Sequence, residues 1–157
     1  MLQLGNQDWT VLITPGHHPG HVCLLSDAGL VAGDMVAGIG TILIPPGTGD
    51  MDVYIEQLQR LQQLDPHLMF PSHGPVIPLP NKTLAYYIKH RMERHQRVLD
   101  AVESGLATIP EISTEAYANT PDAHPGLAQD QTLAHLLSHE RAGRVQQTNK
   151  GWIRGDD

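Results

Sequence analysis

The chain has 157 residues, 17.2 kDa and a formal net charge of −7, and its 40% hydrophobic content is typical of one modest folded domain or two small ones. This composition excludes a disordered, fibrous or strongly basic protein. Because no apolar run approaches the roughly 20 residues of a membrane span and neither a basic nor an apolar stretch follows Met1, we expect a cytoplasmic protein without a membrane segment.

The first 81 residues predict an α/β arrangement. Short apolar runs at 9–14, 22–26 and 30–33 predict strands, and the second and third form a hairpin. Residues 37–49 are rich in glycine and proline and predict a long loop with room for a short strand. Apolar residues recur every three or four positions over 50–64, which predicts an amphipathic helix with Asp50 as its N-cap. A further buried strand is predicted at 68–71, and Cys23 is expected to be a buried, inert thiol.

The remaining residues predict helices and a final hairpin. Periodic apolar positions predict helices at 84–104 and 127–142, and Thr108 with Glu111 forms a capping box that begins a short helix ending near 118. Residues 144–154 predict a strand, a tight turn and a second strand. Three helices and a hairpin of this size predict a winged helix-turn-helix. We place a domain boundary between residues 81 and 82, since acidic residues outnumber basic ones by seven to one before it and by only ten to nine after it.

Candidate metal ligands follow three of the predicted strands. His17 lies in the rigid loop after 9–14, Asp34 follows 30–33 and His73 follows 68–71. Strand ends that lie side by side bring such residues to a common point. Two imidazoles and a carboxylate suit Zn²⁺. The alternative is that these residues are loop side chains satisfied by backbone hydrogen bonds.

Five segments in this order resemble one known family. They are TPGHHPGH at 14–21, LVAGDMVAGIGT at 30–41, GDMDVYIEQLQRL at 49–61, FPSHGPVI at 70–77 and YIKHRMERHQRVL at 87–99. Together they resemble the C-terminal half of a metallo-β-lactamase-fold hydrolase, an αβ/βα sandwich. The resemblance is greatest to the branch that carries a C-terminal winged helix and includes mitochondrial β-lactamase-like endoribonucleases.

The resemblance implies a role for each matching residue. His17 matches a ligand of one zinc, Asp34 the carboxylate that bridges two zincs, and His73 a ligand of the second. His21 matches a histidine near the site that is not a standard ligand, and His18 stands where the family usually has threonine, so both are possible accessory ligands. No general base is identified. His95 replaces a glutamate that is usual in the family, which puts in doubt the contact that this glutamate makes between the domains.

A second departure concerns the rest of the metal site. The family's HxHxDH motif supplies four further ligands upstream of TPGH, and no His-x-His occurs in these 157 residues. We therefore expect weak or absent metal occupancy and little activity of this chain alone. We also expect exposed apolar surface, covered by a second copy or by the missing N-terminal half.

Two functions remain open on this basis. The first is a zinc-dependent hydrolase of phosphodiesters such as RNA, of thioesters or of esters, and the second is a non-catalytic binding or oligomerisation module. A weak nucleic-acid surface is conceivable on the winged helix, at Arg141, Arg144, Lys150 and Arg154. The near-neutral balance of this segment, to which Asp156 and Asp157 contribute, favours packing instead. His135 and His139, four residues apart on a helix, could form a metal pair, but a solvated helix face is the favoured interpretation.

Overall fold

A five-stranded sheet and four helices form the body of the protein in a computed structural model that describes residues 1–155. The strands β1 (Leu2–Leu4), β2 (Gln7–Ile13), β3 (Val22–Ser26), β4 (Gly29–Gly33) and β5 (Met69–Pro71) lie in sequence order. All neighbours are antiparallel except β4 and β5, which are parallel because α1 (Met51–Gln63) connects them. The protein is therefore of the mixed α/β class, as the sequence predicts.

The later part of the chain contains the remaining helices and a separate hairpin. The helices are α2 (Pro80–Glu103), α3 (Ile109–Ala116) and α4 (Pro125–Arg141). The strands β6 (Val145–Thr148) and β7 (Gly151–Arg154) pair antiparallel. Helices and hairpin follow one another as predicted, while the winged-helix identity and the domain boundary at 81/82 stay predictions. Asp156 and Asp157 lie outside the described residues.

Local signals account for most element boundaries. The Asp50 side chain accepts hydrogen bonds from the first turn of α1, and the capping box of Thr108 and Glu111 is present at α3, both as predicted. The helix α2 begins four residues earlier than predicted, because Pro80 suits a first helical turn, where its missing N–H costs nothing. The strand β1 was not predicted, and the loop at 37–49 contains no strand.

The helix α1 covers one face of the sheet. Its buried residues Met51, Tyr54, Leu58 and Leu61 belong to the same core as Leu30, Ala32 and Met69 on the strands. The opposite face carries large apolar residues that are exposed, and they occupy neighbouring positions of the sheet: Val11, Ile13, Val22 and Val31. The sheet is thus covered on one side only within residues 1–155, which agrees with the exposed apolar surface expected from the sequence.

The long helix α2 contributes to both apolar clusters of the protein. Leu84 and Tyr87 in its first half pack with the sheet and α1, whereas Val98 and Val102 in its second half pack with α3, α4 and the hairpin. Trp152 of β7 is buried in the second cluster. Met92, also on α2, is exposed.

The prediction of a solvated face for His135 and His139 is wrong. Both side chains are completely buried, together with Gln131 and Ser138 on α4. The physical reason is that α4 packs against α1 and α2 on one side and against α3 and β6 on the other. Little of its circumference faces water, so polar residues on it are buried as well as apolar ones.

Over residues 1–155, no helix combines the length and the apolar character that crossing a membrane would require.

Candidate metal centre

The three predicted ligands lie at the same edge of the sheet. His17 is in the loop after β2, Asp34 directly follows β4 and His73 lies two residues beyond β5. The loop after β2 is closed by a hydrogen bond from Thr14 N to His21 O at 2.9 Å, and Ser72 N donates to Gly33 O at 3.0 Å. These backbone bonds bring three segments that are distant in sequence to one point.

Asp34 is the centre of this arrangement. Its Oδ2 lies 3.8 Å from His17 Nε2 and its Oδ1 lies 3.2 Å from His73 Nε2. The side chains of His17 and Asp34 are 24% and 31% exposed, whereas that of His73 is 70% exposed, so the site opens to solvent on the His73 side. Asp34 Oδ1 is buried and accepts no hydrogen bond within the described residues.

The orientation of His17 is set by a backbone carbonyl. His17 Nδ1 lies 2.7 Å from Leu43 O. Because a carbonyl only accepts, Nδ1 must carry the proton, and in the neutral ring the lone pair is then on Nε2, which faces Asp34. A lone pair that faces a carboxylate is unfavourable unless a cation or a proton lies between them. Metal-binding histidines typically have this arrangement, with the other ring nitrogen donating to a carbonyl or carboxylate.

His21 contacts the backbone of Asp34 and is not one of the candidate ligands. Its Nε2 accepts a hydrogen bond from Asp34 N at 3.0 Å, and its Nδ1 therefore donates to Thr14 Oγ1 at 2.8 Å. Burial, followed by repulsion from His17, lowers the pKa of His21, which keeps the ring neutral as this tautomer requires. The Nε2 lone pair is used, so His21 is not available as an accessory ligand in this geometry.

Cys23 and His18 do not add to the ligand set. Thr14 Oγ1 donates to Cys23 Sγ at 3.3 Å, and burial raises the pKa of this thiol to about 11, so Cys23 is the inert buried residue expected. His18 is exposed, and its Nδ1 accepts a hydrogen bond from Gly20 N at 3.1 Å. The ion pairs that the structure gives Asp34 are with His17 and His73.

The residues present fit part of a metal site. Nitrogen and carboxylate donors are the set that Zn²⁺ accepts. The protonated Nδ1 of His17 leaves the Nε2 lone pair free, and Asp34 Oδ1 accepts no hydrogen bond within the described residues, so both atoms are available to a cation. However, within residues 1–155 no group of three or more His, Cys, Asp or Glu side chains is close enough to hold a metal ion as it stands. Each of the two histidines is instead paired with one oxygen of Asp34.

Sequence reasoning did not identify the side chains that hold the loop after Asp34. The Tyr87 hydroxyl accepts from Ala37 N at 2.8 Å and donates to the carbonyl of Ala37 or of Gly40, and Arg91 and Gln131 bind residues 42–44. A signal was present, because the spacing of three and four residues between Tyr87, Arg91 and Arg94 places both arginines on the apolar stripe of α2. Polar residues on a buried face must find partners.

The predicted basic surface is partly occupied by contacts within the chain. Arg141 at the end of α4 pairs with Asp50 at 3.0 Å and with Asp52 at 2.6 Å, which links α4 to the start of α1. Arg144 precedes β6, Lys150 is exposed in the turn of the hairpin and Arg154 ends β7. The four residues are therefore near the hairpin, as expected, but one of them neutralises acidic groups of α1.

Comparison with known proteins gives one family. Residues 3–73 match the family model described as metallo-beta-lactamase superfamily. A beta-lactamase-like protein 2 homolog of Drosophila melanogaster is 36% identical in an alignment 152 residues long, which covers 89% of this chain and 50% of that protein. An atrochrysone carboxyl ACP thioesterase of Aspergillus fumigatus is 30% identical over 95 residues, which are 59% of this chain and 29% of that protein.

Two solved structures share the fold. A metallo-beta-lactamase family protein of Thermus thermophilus superposes with a TM-score of 0.82 at 22% identity, over 98% of this chain and 51% of that one. A beta-lactamase domain protein of Burkholderia ambifaria does so with a TM-score of 0.83 at 24% identity, over 98% of this chain and 50% of that one. The chain spans about half the length of these relatives.

Proposed function

This chain belongs to the metallo-beta-lactamase superfamily, and from that premise we propose that His17, Asp34 and His73 are ligands of a hydrolytic zinc centre. The observation that carries the proposal is the orientation of His17. Leu43 O holds the proton on Nδ1, so that Nε2 offers its lone pair on the side where the Asp34 carboxylate lies.

Zinc bound there would lower the pKa of water to about 7 and so supply a hydroxide for attack on an ester, thioester or phosphodiester. The chain's own residues prepare the site for this chemistry. Asp34 offers an oxygen toward each of the two histidines, as a bridging ligand would. His21 fixes the backbone of Asp34, and the open side at His73 leaves room for a substrate.

The proposal includes an incomplete ligand shell. A structural zinc is normally held by four protein ligands and a catalytic one by three, and two zincs cannot both be satisfied by two histidines and one aspartate. No His-x-His is present to supply more. We expect weak zinc binding and no normal turnover by this chain alone.

The exposed sheet face supports a partner for this half site. Val11, Ile13, Val22 and Val31 form neighbouring apolar positions of the kind that mark an interface. About half of the residues of these relatives lie outside the part that matches this chain. We propose that this face is covered either by the corresponding remainder of the fold or by a second copy.

The substrate class is proposed from the relatives. A thioesterase among them favours a thioester or ester. RNA is a second candidate, for which the basic residues near the hairpin are the supporting feature, although the pairing of Arg141 with Asp50 and Asp52 weakens it.

The test is zinc titration of metal-free protein, followed calorimetrically. We expect binding in the micromolar range or weaker, lost in both His17→Ala and Asp34→Ala and unchanged in His67→Ala, because His67 is exposed and precedes β5, at the end of that strand opposite to His73. Zinc binding that is equally strong in all three variants would contradict the proposal. Two tightly held zincs per chain would contradict the incomplete shell.

The alternative function is a non-catalytic binding or oligomerisation module, and the uncovered sheet face favours it. Sedimentation of the chain at several concentrations distinguishes the two. A dimer that is lost in Ile13→Lys, with no zinc binding by the wild-type chain, would support the module, whereas a monomer would contradict self-association. The matched control is Ile39→Lys, an exposed isoleucine outside the sheet.

A further inference from the structure

The segment Ile42–Ile44 lies between the candidate metal ligand His17 and the helices α2 and α4. The Leu43 carbonyl and the Ile44 N–H belong to one planar trans peptide group, so they point in opposite directions. The carbonyl of Leu43 meets His17 Nδ1, whereas the backbone groups of Ile42 and Ile44 face the helices. Anything that fixes Ile42 and Ile44 therefore also fixes the direction of the Leu43 carbonyl.

Two buried side chains hold this segment from the helix side. Arg91 of α2 donates through Nη2 to Ile42 O and through Nη1 to Gln131 Oε1 at 2.6 Å. Gln131 of α4 donates through Nε2 to Ile44 O at 2.9 Å, and its Oε1 accepts from Ile44 N at 3.3 Å. The primary amide of Gln131 thus pairs with one backbone residue in both directions and receives the guanidinium as well.

Burying the side chains of Arg91 and Gln131 costs free energy, because their polar groups lose contact with water. Arg91 is 2% exposed and Gln131 6%, and the hydrogen bonds that the structure gives Arg91 are to neutral acceptors, not to a carboxylate. A buried guanidinium without an anionic partner is destabilising compared with an apolar residue of similar size. The guanidinium of Arg91 has instead the Tyr54 ring, at 5.6 Å from the ring centroid, and two neutral oxygens, Gln131 Oε1 and the carbonyl of Ile42, the residue before Leu43.

We propose that Arg91 and Gln131 are positioning residues that act on His17 through the Leu43 carbonyl. Zinc affinity then depends on how α4 packs against residues 42–44. The proposal rests on the metal centre proposed above. Because binding linkage is reciprocal, zinc also stabilises the contact of α2 and α4 with the loop. In this proposal α2 and α4 determine, through the Leu43 carbonyl, which nitrogen of His17 carries the proton.

The test compares isosteric variants of one helix. Gln131→Met keeps the volume and removes every hydrogen bond to Ile44 and to Arg91. Gln131→Glu keeps the acceptor for Ile44 N and Arg91, loses the donor to Ile44 O and adds a negative charge beside the guanidinium. Thr132→Val is the matched control, because Thr132 is fully buried on the same helix and its hydroxyl donates within α4, to Ala128 O. Arg91→Lys tests the other residue, since it keeps the charge and loses the two-pronged geometry.

Two readouts are measured on the full chain. Nitrogen-15 NMR of the His17 ring in metal-free protein reports whether Nδ1 alone is protonated, and zinc titration reports affinity. We expect Gln131→Met and Arg91→Lys to lower zinc affinity by about 10- to 100-fold, the range typical of lost outer contacts to metal ligands. We expect mixed His17 tautomers in both variants, an intermediate result in Gln131→Glu and wild-type behaviour in Thr132→Val.

The outcomes separate this inference from the proposed function. If the wild-type chain binds no zinc, the metal centre is wrong, and the His17 spectrum still tests the positioning by Gln131. If zinc binds and Gln131→Met shows wild-type affinity and one His17 tautomer, the inference is overturned. An equal loss in Thr132→Val would also overturn it, because the effect would then follow general packing. If Gln131→Met does not fold, Gln131→Glu and Arg91→Lys decide the question.

Discussion

His95 of α2 stacks on His139 of α4, with ring centroids 3.5 Å apart and planes inclined by 15°. His139 Nε2 donates to His95 O at 2.9 Å, and His95 Nδ1 lies 3.2 Å from His135 Nδ1. His135 Nε2 and His139 Nδ1 are buried without a hydrogen-bond partner in the described part of the chain. Three imidazoles therefore form a mostly buried contact between two helices.

This cluster predicts acid sensitivity of folding. Burial is the main cause that lowers the pKa of all three rings, and burial together with repulsion from His139 brings that of His95 to about 4. The charged groups that act on the cluster are three cations and two carboxylates: Arg91, Arg94, Arg144, Asp52 and Glu103. Between the ordinary pKa of about 6.5 and the lowered values, the unfolded chain binds more protons than the folded one. The free energy of unfolding should therefore be flat above pH 7 and fall as the pH decreases from about 6.5 toward 4.

Urea unfolding measured between pH 4 and 8 checks this slope. His95→Phe retains a flat ring on His139 and removes one titrating group, so its slope below pH 6.5 should be smaller than that of the wild type. His67→Gln is the control, because His67 is exposed. Parallel curves for His95→Phe and the wild type would show that the cluster does not determine acid stability.

Removal of the Tyr87 hydroxyl is expected to destabilise the protein. It is buried and bonds to the backbone of Ala37 and Gly40, so Tyr87→Phe leaves Ala37 N without a partner. An unsatisfied buried group costs about 1–3 kcal/mol. Tyr86→Phe is the control, because Tyr86 is 55% exposed, and its stability should stay within about 0.5 kcal/mol of the wild type. Equal free energies of unfolding for the two variants would contradict the role of the hydroxyl.

A side chain at Gly33, the residue before Asp34, is expected to disturb the metal centre. Its φ is +54°, and a Cβ there would lie 2.6 Å from His21 Nε2, the atom that accepts from Asp34 N. Gly33→Ala should lose both stability and zinc affinity. Gly40→Ala is a close match, because Gly40 has φ +79° with open space around it, and it should lose only the roughly 1–2 kcal/mol of a left-handed residue. Urea unfolding and zinc titration of both variants make the comparison, and unchanged zinc binding in Gly33→Ala would contradict it.

The pair of Arg141 and Asp52 predicts a weak, salt-dependent link between α4 and α1. Both side chains are 48% exposed, and an exposed ion pair contributes about 0.2–1 kcal/mol. A double-mutant cycle of Arg141→Gln and Asp52→Asn should give a coupling energy in this range at low salt and less at 1 M salt, where charges are screened. A coupling energy that does not change with salt would show that the contact is not electrostatic. If Arg141→Gln instead lowered RNA binding with no effect on stability, the residue would belong to a nucleic-acid surface.

Local order was predictable from the sequence to a large extent. The N-cap at Asp50 and the capping box at Thr108 depend on interactions within a few residues, and the structure confirms both. It also confirms the strand Val22–Ser26, which the apolar run predicted. The order of strands and helices also placed His17, Asp34 and His73 at strand ends, and the structure brings these side chains to one edge of the sheet.

The orientation and burial of the polar side chains were decided by the tertiary structure alone. Gln131 lies 87 residues from Ile44 and His139 lies 44 from His95, and the pattern of α4 by itself predicts solvent at His135 and His139. A helix packed on two sides has no free face, so its amphipathic pattern no longer shows which residues are buried. The sequence thus determined the elements, the family and the candidate ligands. Only the fold determined which nitrogen of His17 faces Asp34, because that depends on the direction of one carbonyl held between two helices.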